Sequence, residues 1–281
     1  MPIDHREPNI NARRLGLYLR LTREALRLSY EDAAAVAGCA SDWLVRVETG
    51  FARPAPVEVE RIMERYRIRE ARMADVMIDL ASRLDGPAWL AAHADGLKAS
   101  TRDVLIMESE ASVVHSYGVQ LVPELARAER YSRHLAPHLH PGCDVDLEWD
   151  LLSSRQRHRV DGRPRTLDVI IDERALTLPL TEPEAMVAQL HHLLDLGESA
   201  EATIRLVPDD AALYEARAYP FDVLEFPEVN DRVPLIHTIV GTDFGQADLS
   251  GVWTFIEERS ALPPDDSRAL ILQILTELTA R

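Results

Sequence analysis

The chain has 281 residues, 46% hydrophobic and 28% charged, which suffices for two domains with apolar cores and excludes wholesale disorder. Two cysteines, Cys39 and Cys143, exclude a disulfide framework, and no run approaches the ~20 apolar residues of a membrane span. The net charge of -16 is uneven, about +1 over residues 1–70 and -17 over the remainder.

The opening residues, MPIDHREPN, hold charges and no apolar run, so no signal peptide is expected and a cytoplasmic protein without a membrane partner is. Residues 11–30 carry Arg13, Arg14, Arg20, Arg23 and Arg27 against Glu24 alone. A small basic module on an acidic body is the asymmetry expected when only that module approaches a polyanion. A solvated helix face has the same composition, and charge alone does not separate the two.

Leu15, Leu19 and Leu26, with Tyr18 and Thr22 between them, share one helical face. Ser29 is an N-cap for the next helix, with Asp32 at the capping-box position. That helix is rich in alanine (Ala33, Ala34, Ala35, Ala37), so a neighbour can come close. Gly38 supplies the left-handed residue that ends it. A second helix, about Ser41 to Thr49, buries Leu44 and Val47 and stops at Gly50, with Ala40 at its N-cap. Pro54 and Pro56 lead into Val57–Tyr66, where Val59, Ile62, Met63 and Tyr66 are apolar.

The order Leu19-Arg20-x-x-Arg23, Leu28-Ser29, Ala33-Ala34, Gly38, Leu44, Arg46-Val47-Glu48, Gly50, Arg53-Pro54 resembles the helix-turn-helix of phage-repressor-like (XRE family) regulators over residues 13–67. The resemblance implies a structural ion pair between Glu48 and Arg23 that fixes the recognition helix on the first helix. It implies double-stranded DNA as partner, with Ser41, Asp42 and Arg46 facing base edges, Tyr30 near a phosphate, and Trp43 and Arg53 in the contact surface. Arg46 suits guanine; Asp42 can accept from cytosine N4 but repels phosphates. Trp43 packs on the next helix or meets a thymine methyl. A helical bundle used only for dimerisation is the alternative.

Residues 71–103 read as a helical linker after the 1–70 module. Met73, Val76, Met77 and Leu80 make an amphipathic stripe within Ala71–Leu84, Gly86-Pro87 is a break, and Trp89-Leu90 is an apolar anchor. The apolar face is expected to pack on a domain or on a second subunit.

In residues 104–281, helices are expected at Val104–Ser116, after Pro123, at Asp144–His158 with Leu147, Leu151 and Leu152 inward, at Pro183–Asp195, at about Ala247–Ala261 and at Pro264–Thr279. Strands are expected at Thr166–Asp172, Thr203–Pro208, Phe221–Phe226 and Leu235–Val240. The fold class is a mainly α helix-turn-helix bundle plus an α+β (mixed α/β) C-terminal domain of regulatory or partner-binding type. The motifs LVPELARAERYSRHL, DERAL (Asp172–Leu176), QLHHLLDL (Gln189–Leu196), TIRLVP, YPFDVLEF (Tyr219–Phe226) and DDSRALI (Asp265–Ile271) resemble, in order, actinobacterial regulators with a C-terminal domain of unknown function (DUF5753), described as Scr1-type and antitoxin-like. The chain departs from that group at Glu124-Leu125-Ala126 and Ala88-Trp89, where Gly-Leu-Leu and two tryptophans are usual. The resemblance implies a regulator paired with a small acidic partner protein.

His134, His138, His140 and Cys143 are zinc-ligating residue types near Pro137 and Pro141, which place them in a loop. No second cluster completes a zinc pattern, so surface histidines are the default and no metal is expected. His191 and His192 divide between inward and outward, Asp209-Asp210 is a turn, and His237 is a core or cross-strand residue. No Walker A loop, G-x-G-x-x-G, G-x-S-x-G or H-E-x-x-H is present, so no catalytic residue or cofactor is expected. The reading is a homodimeric, sequence-specific DNA-binding transcription regulator whose C-terminal domain senses a partner protein or ligand. An antitoxin-like interaction module with weak DNA binding is the competing reading.

Overall fold

The computed structural model describes residues 9–68, 70–84, 86–93, 97–160, 162–178, 182–211, 219–226, 232–238, 241–244 and 249–280. The N-terminal run MPIDHREP, the expected helix start at Ala247 and the expected strand end at Ile239–Val240 lie outside the described residues. The chain divides into two compact units, one ending at Ile106 and the other beginning at Met107.

The first unit is helical: α1 (Ile10–Ala25), α2 (Tyr30–Ala37), α3 (Ser41–Glu48), α4 (Pro56–Arg65), α5 (Ala71–Ser82), α6 (Ala88–His93) and the first part of α7 (Ala99–Glu110). Asn9 caps α1, its side-chain oxygen accepting the Ala12 N–H at 2.9 Å. Leu15 and Leu19 are buried from α1, but Leu26 is 44% exposed, contrary to expectation. The helix has ended there: Leu26 is its C-cap, and Arg27 turns the chain with φ 55°. Val59, Ile62 and Met63 of α4 and Met77, Leu80 and Ala81 of α5 close over α1–α3 in one core. The apolar face of Ala71–Leu84 thus packs on helices of its own unit.

Gly16 sets the spacing of α1 and α3. A Cβ there would lie 2.6 Å from the Glu48 carbonyl oxygen and 2.7 Å from that of Val47. Only a residue without a side chain lets the two backbones come this close.

The second unit holds the end of α7, then β1 (Val113–Gly118), a 3-10 turn (Glu124–Ala126), α8 (Glu129–Leu139), α9 (Val145–Arg157), β2 (Arg159–Val160), β3 (Arg163–Pro164), β4 (Thr166–Asp172), α10 (Arg174–Thr177), α11 (Pro183–Gly197), β5 (Ala202–Val207), β6 (Phe221–Glu225), β7 (Arg232–Thr238), β8 (Gly241–Phe244), α12 (Leu249–Arg259) and α13 (Pro264–Thr279). The described sheet runs β5-β4-β1-β6-β7-β8, with β1, β4 and β5 mutually parallel and the remainder antiparallel. This is the α+β class read from the sequence.

Three local expectations are corrected. The helix read over Val104–Ser116 stops at Glu110, and Val113 begins a central strand paired to both β4 and β6. The β-branched pair Val113-Val114 suits the pleat, and two flanking strands satisfy its backbone. Pro137 lies inside α8 with His134 and His138, where the whole cluster was expected on a loop; His140 and Cys143 do lie beyond the helix. Proline gives up the hydrogen bond to the carbonyl four residues before it, and α8 ends two residues later, at Leu139. Leu147 of α9 is 48% exposed, whereas Leu152 is buried.

One face of the sheet carries Tyr117, Ile170, Val207, Phe221 and Val223 against Trp253 and Ile256 of α12. The same face carries one charged or titratable residue from each of five adjacent strands: Arg205, Asp168, His115, Glu225 and Arg232. Arg205 Nη1 lies 2.6 Å from Asp168 Oδ1; His115 Nδ1 lies 3.4 Å from Asp168 Oδ2 and its Nε2 3.1 Å from Glu225 Oε1. Arg232 pairs with Glu225, and Glu257 of α12 reaches Arg205 at 3.0 Å. The His115 ring packs at 4.8 Å from that of Trp253. Elsewhere in the unit, Arg155 of α9 is clamped between Glu108 (2.6 Å) and Glu124 (2.6 Å).

Two outcomes follow. Gly16→Ala should destabilise the first unit by about 1–3 kcal/mol through backbone overpacking, read as faster hydrogen exchange in α1 and α3. Burial alone would lower the His115 pKa, but Asp168 and then Glu225 outweigh it, leaving the pKa raised. The stabilisation is therefore complete below the ordinary imidazole value and lost as pH rises through the elevated folded value. The stabilisation that His115 adds to the second unit should fade as pH rises above the ordinary imidazole value, and His115→Gln should flatten that part of the pH dependence in denaturant titrations.

Candidate nucleic-acid interface

Helices α2 and α3 form a helix-turn-helix whose joints follow from the sequence. The Ser29 side chain accepts the Asp32 N–H at 3.1 Å and donates its own hydroxyl to the Asp32 carboxylate at 2.8 Å. Ala33, Ala34 and Ala37 are buried, as are Leu44 and Val47 of α3. Gly38 is left-handed (φ 67°) and returns its N–H to the Ala34 carbonyl. Ala40 gives α3 no side-chain cap, so the first N–H groups of α3 have no capping side chain at that position.

Arg23 of α1 holds α3 from below. Its Nε donates to Glu48 Oε1 at 2.8 Å and its Nη2 to Oε2 at 2.9 Å. Its Nη1 donates to the Leu28 carbonyl at 3.1 Å, and the Tyr30 ring lies 4.0 Å from the guanidinium carbon. The Glu48 side chain is 1% exposed and that of Arg23 9%. The hydrogen bonds to Glu48 outweigh burial and drive the Arg23 pKa above its ordinary value.

Outward, α3 presents a stripe. Asp42 and Thr49 are exposed, and Val45 and Arg46 are half-buried. Val45 and Thr49 were missed in the sequence, although they stand three and seven residues beyond Asp42 on the same face. Ser41 is half-buried, and Trp43 is half-buried against the bundle core. Arg46 Nη2 donates to the Phe51 carbonyl at 3.2 Å, which steadies the guanidinium beside the loop after α3. Tyr30 is engaged with Arg23, and Arg53 Nη1 donates to the Leu84 carbonyl at 2.8 Å. The basic character of α1 is partly neutralised: Arg20 pairs with Glu24 at 2.8 Å, and Arg13 pairs with Asp103.

His134 and His138 stack on α8 with ring centroids 5.6 Å apart, and His140 Nδ1 lies 3.4 Å from Glu148. Cys143 is a free thiol. Among the described residues, no group of three or more His, Cys, Asp or Glu could hold a metal ion. His237 bridges strands: one ring nitrogen is 2.8 Å from Asp222 and the other 2.8 Å from the Thr242 hydroxyl. No described helix is long and apolar enough to cross a membrane.

Glu48→Gln keeps the shape of the side chain but leaves Arg23 as a buried, uncompensated cation. The first unit should lose about 3–5 kcal/mol, seen as a lower urea midpoint and lost exchange protection in α3.

Comparison with curated proteins and with solved structures finds no match. Two family models do match: a helix-turn-helix domain over residues 14–76, and a domain of unknown function, DUF5753, over residues 101–273. The helix-turn-helix points to a DNA-binding regulator rather than an enzyme. With α2 and α3 arranged as above and the second match spanning more than half of its length, the chain belongs to the DUF5753 family and carries a helix-turn-helix domain ahead of that domain.

Proposed function

We propose that this protein is a cytoplasmic, homodimeric transcription regulator that reads double-stranded DNA through α3 and senses a partner protein or ligand through its second unit. The observation that carries the reading is the Arg23–Glu48 clamp. It holds a short helix at a fixed angle while Asp42 and Thr49 on the outer stripe of that helix stay exposed. In this reading Arg46, steadied by the Phe51 carbonyl, takes a base edge, and the uncapped N–H groups of α3 face the groove. Tyr30 and Arg53 lie toward the phosphates. Trp43 supports the helix from its buried side.

Between α8 and α9 lies a small cleft, about 50 Å³ in volume, lined by Ala136, Leu139, Val145 and Leu152 together with Arg127, Arg133 and Glu148; its size suits a side chain of a partner protein better than a small-molecule ligand. At its edge the Ser132 hydroxyl is buried with no hydrogen-bond partner among the described residues, and a polar group of a bound molecule would relieve that cost.

Binding should weaken as salt rises, because each phosphate contact releases counterions. Arg46→Ala should lower affinity for a selected operator by about 5- to 150-fold, the equivalent of 1–3 kcal/mol, with little change for random duplex. Filter binding across a salt series tests both. Affinity that ignores salt, or an Arg46→Ala variant of unchanged preference, would sink the reading.

A further inference from the structure

We infer that the operator half-site pairs a guanine read by Arg46 with a cytosine read by Asp42, one or two base steps apart. The inference rests on the DNA-reading role of α3 proposed above and names what that helix prefers. Arg46 and Asp42 stand four residues apart on one face of α3. One helical turn advances about 5.4 Å, and stacked base pairs about 3.4 Å, so the two side chains span one or two steps.

Their chemistry is opposite and exclusive. A guanidinium only donates, and guanine alone offers two neighbouring acceptors, N7 and O6, in the major groove. A carboxylate only accepts. The groove donors are cytosine N4–H and adenine N6–H, but adenine sets its N7 acceptor beside that donor, where it repels a carboxylate. Cytosine is therefore the base that Asp42 tolerates best. Asp42 is exposed and makes no hydrogen bond or ion pair with any described residue, so none of these competes for it. Val45, half-buried beside them, adds an apolar contact and no hydrogen bond.

Asp42 also repels phosphates, so it lowers affinity for every duplex while restoring some for the right one. Its effect is on the ratio of specific to random binding. A carboxylate retained only to favour the N-terminus of α3 would stabilise the helix and leave base preference alone.

The test uses the full-length protein and a randomised duplex library. The expected consensus contains a guanine and a cytosine one or two steps apart. Replacing that guanine by 7-deazaguanine, which lacks N7, should weaken binding about tenfold. Replacing the cytosine by N4-methylcytosine, which blocks the groove-facing N–H, should weaken wild-type binding by about the same factor. Asp42→Ala should be insensitive to the N4-methyl group and should bind random duplex more tightly than wild type does. A consensus without this pair, or an N4-methyl penalty that persists in Asp42→Ala, overturns the inference. If Asp42→Ala does not fold, an absent N4-methyl effect on the wild type overturns it alone. Selection that enriches no sequence overturns the DNA-reading role itself, a distinct failure.

Discussion

The buried pair of Arg23 and Glu48 is the constraint on which the first unit depends. Two oxygens of one carboxylate meet one guanidinium side-on, so both the distance and the rotation of α3 relative to α1 are fixed. Apolar contacts from Leu44 and Val47 would hold α3 against the bundle but would tolerate sliding. Gly16 complements the pair: the salt bridge pulls the C-terminal turn of α3 inward, and the missing side chain on α1 leaves room for it. Attraction and clearance meet at the same residue, Glu48, which supplies a carboxylate to one and a carbonyl to the other.

The second unit repeats the tactic with a different layout. Arg155 is held between the buried Glu108 and the more exposed Glu124, and the sheet carries alternating charges from β5 to β7 under α12. A chain with a net charge of -16 must handle surplus carboxylates. Spending its arginines on buried carboxylates settles some of that repulsion locally. The arginines of α1 are partly neutralised in the same way, Arg13 by Asp103 and Arg20 by Glu24.

Much of the helix-turn-helix was legible because its signals are local. The Ser29 cap, the alanine run, the left-handed Gly38 and the inward Leu44 and Val47 each act within a turn or two of their own position. Strand β1 was not legible, because Val113 and Val114 continue an apolar helical pattern and become a strand only when β4 and β6 flank them. Pro137 was misread for the opposite reason: a strong local signal gave way to packing of α8 against α9 and α11. At the candidate interface, residue types named Asp42 and Arg46, but whether Trp43 or Val45 faced outward depended on the core that Trp43 joins.

The row from Arg205 to Arg232 has a consequence for how the sheet finds its pairing. Side chains alternate between faces along a strand, so a slip of one residue turns each member of the row to the opposite face. A slipped strand would strand its charge without its neighbour and put an apolar residue in its place. Parallel strands distant in sequence, such as β1 and β4, have no tight turn to set their alignment. The row gives them an electrostatic ruler: Asp168 stands opposite His115, and Glu225 opposite Arg232, only in the native register. The charges thus act as a check on assembly, independent of whatever they add to the stability of the finished fold.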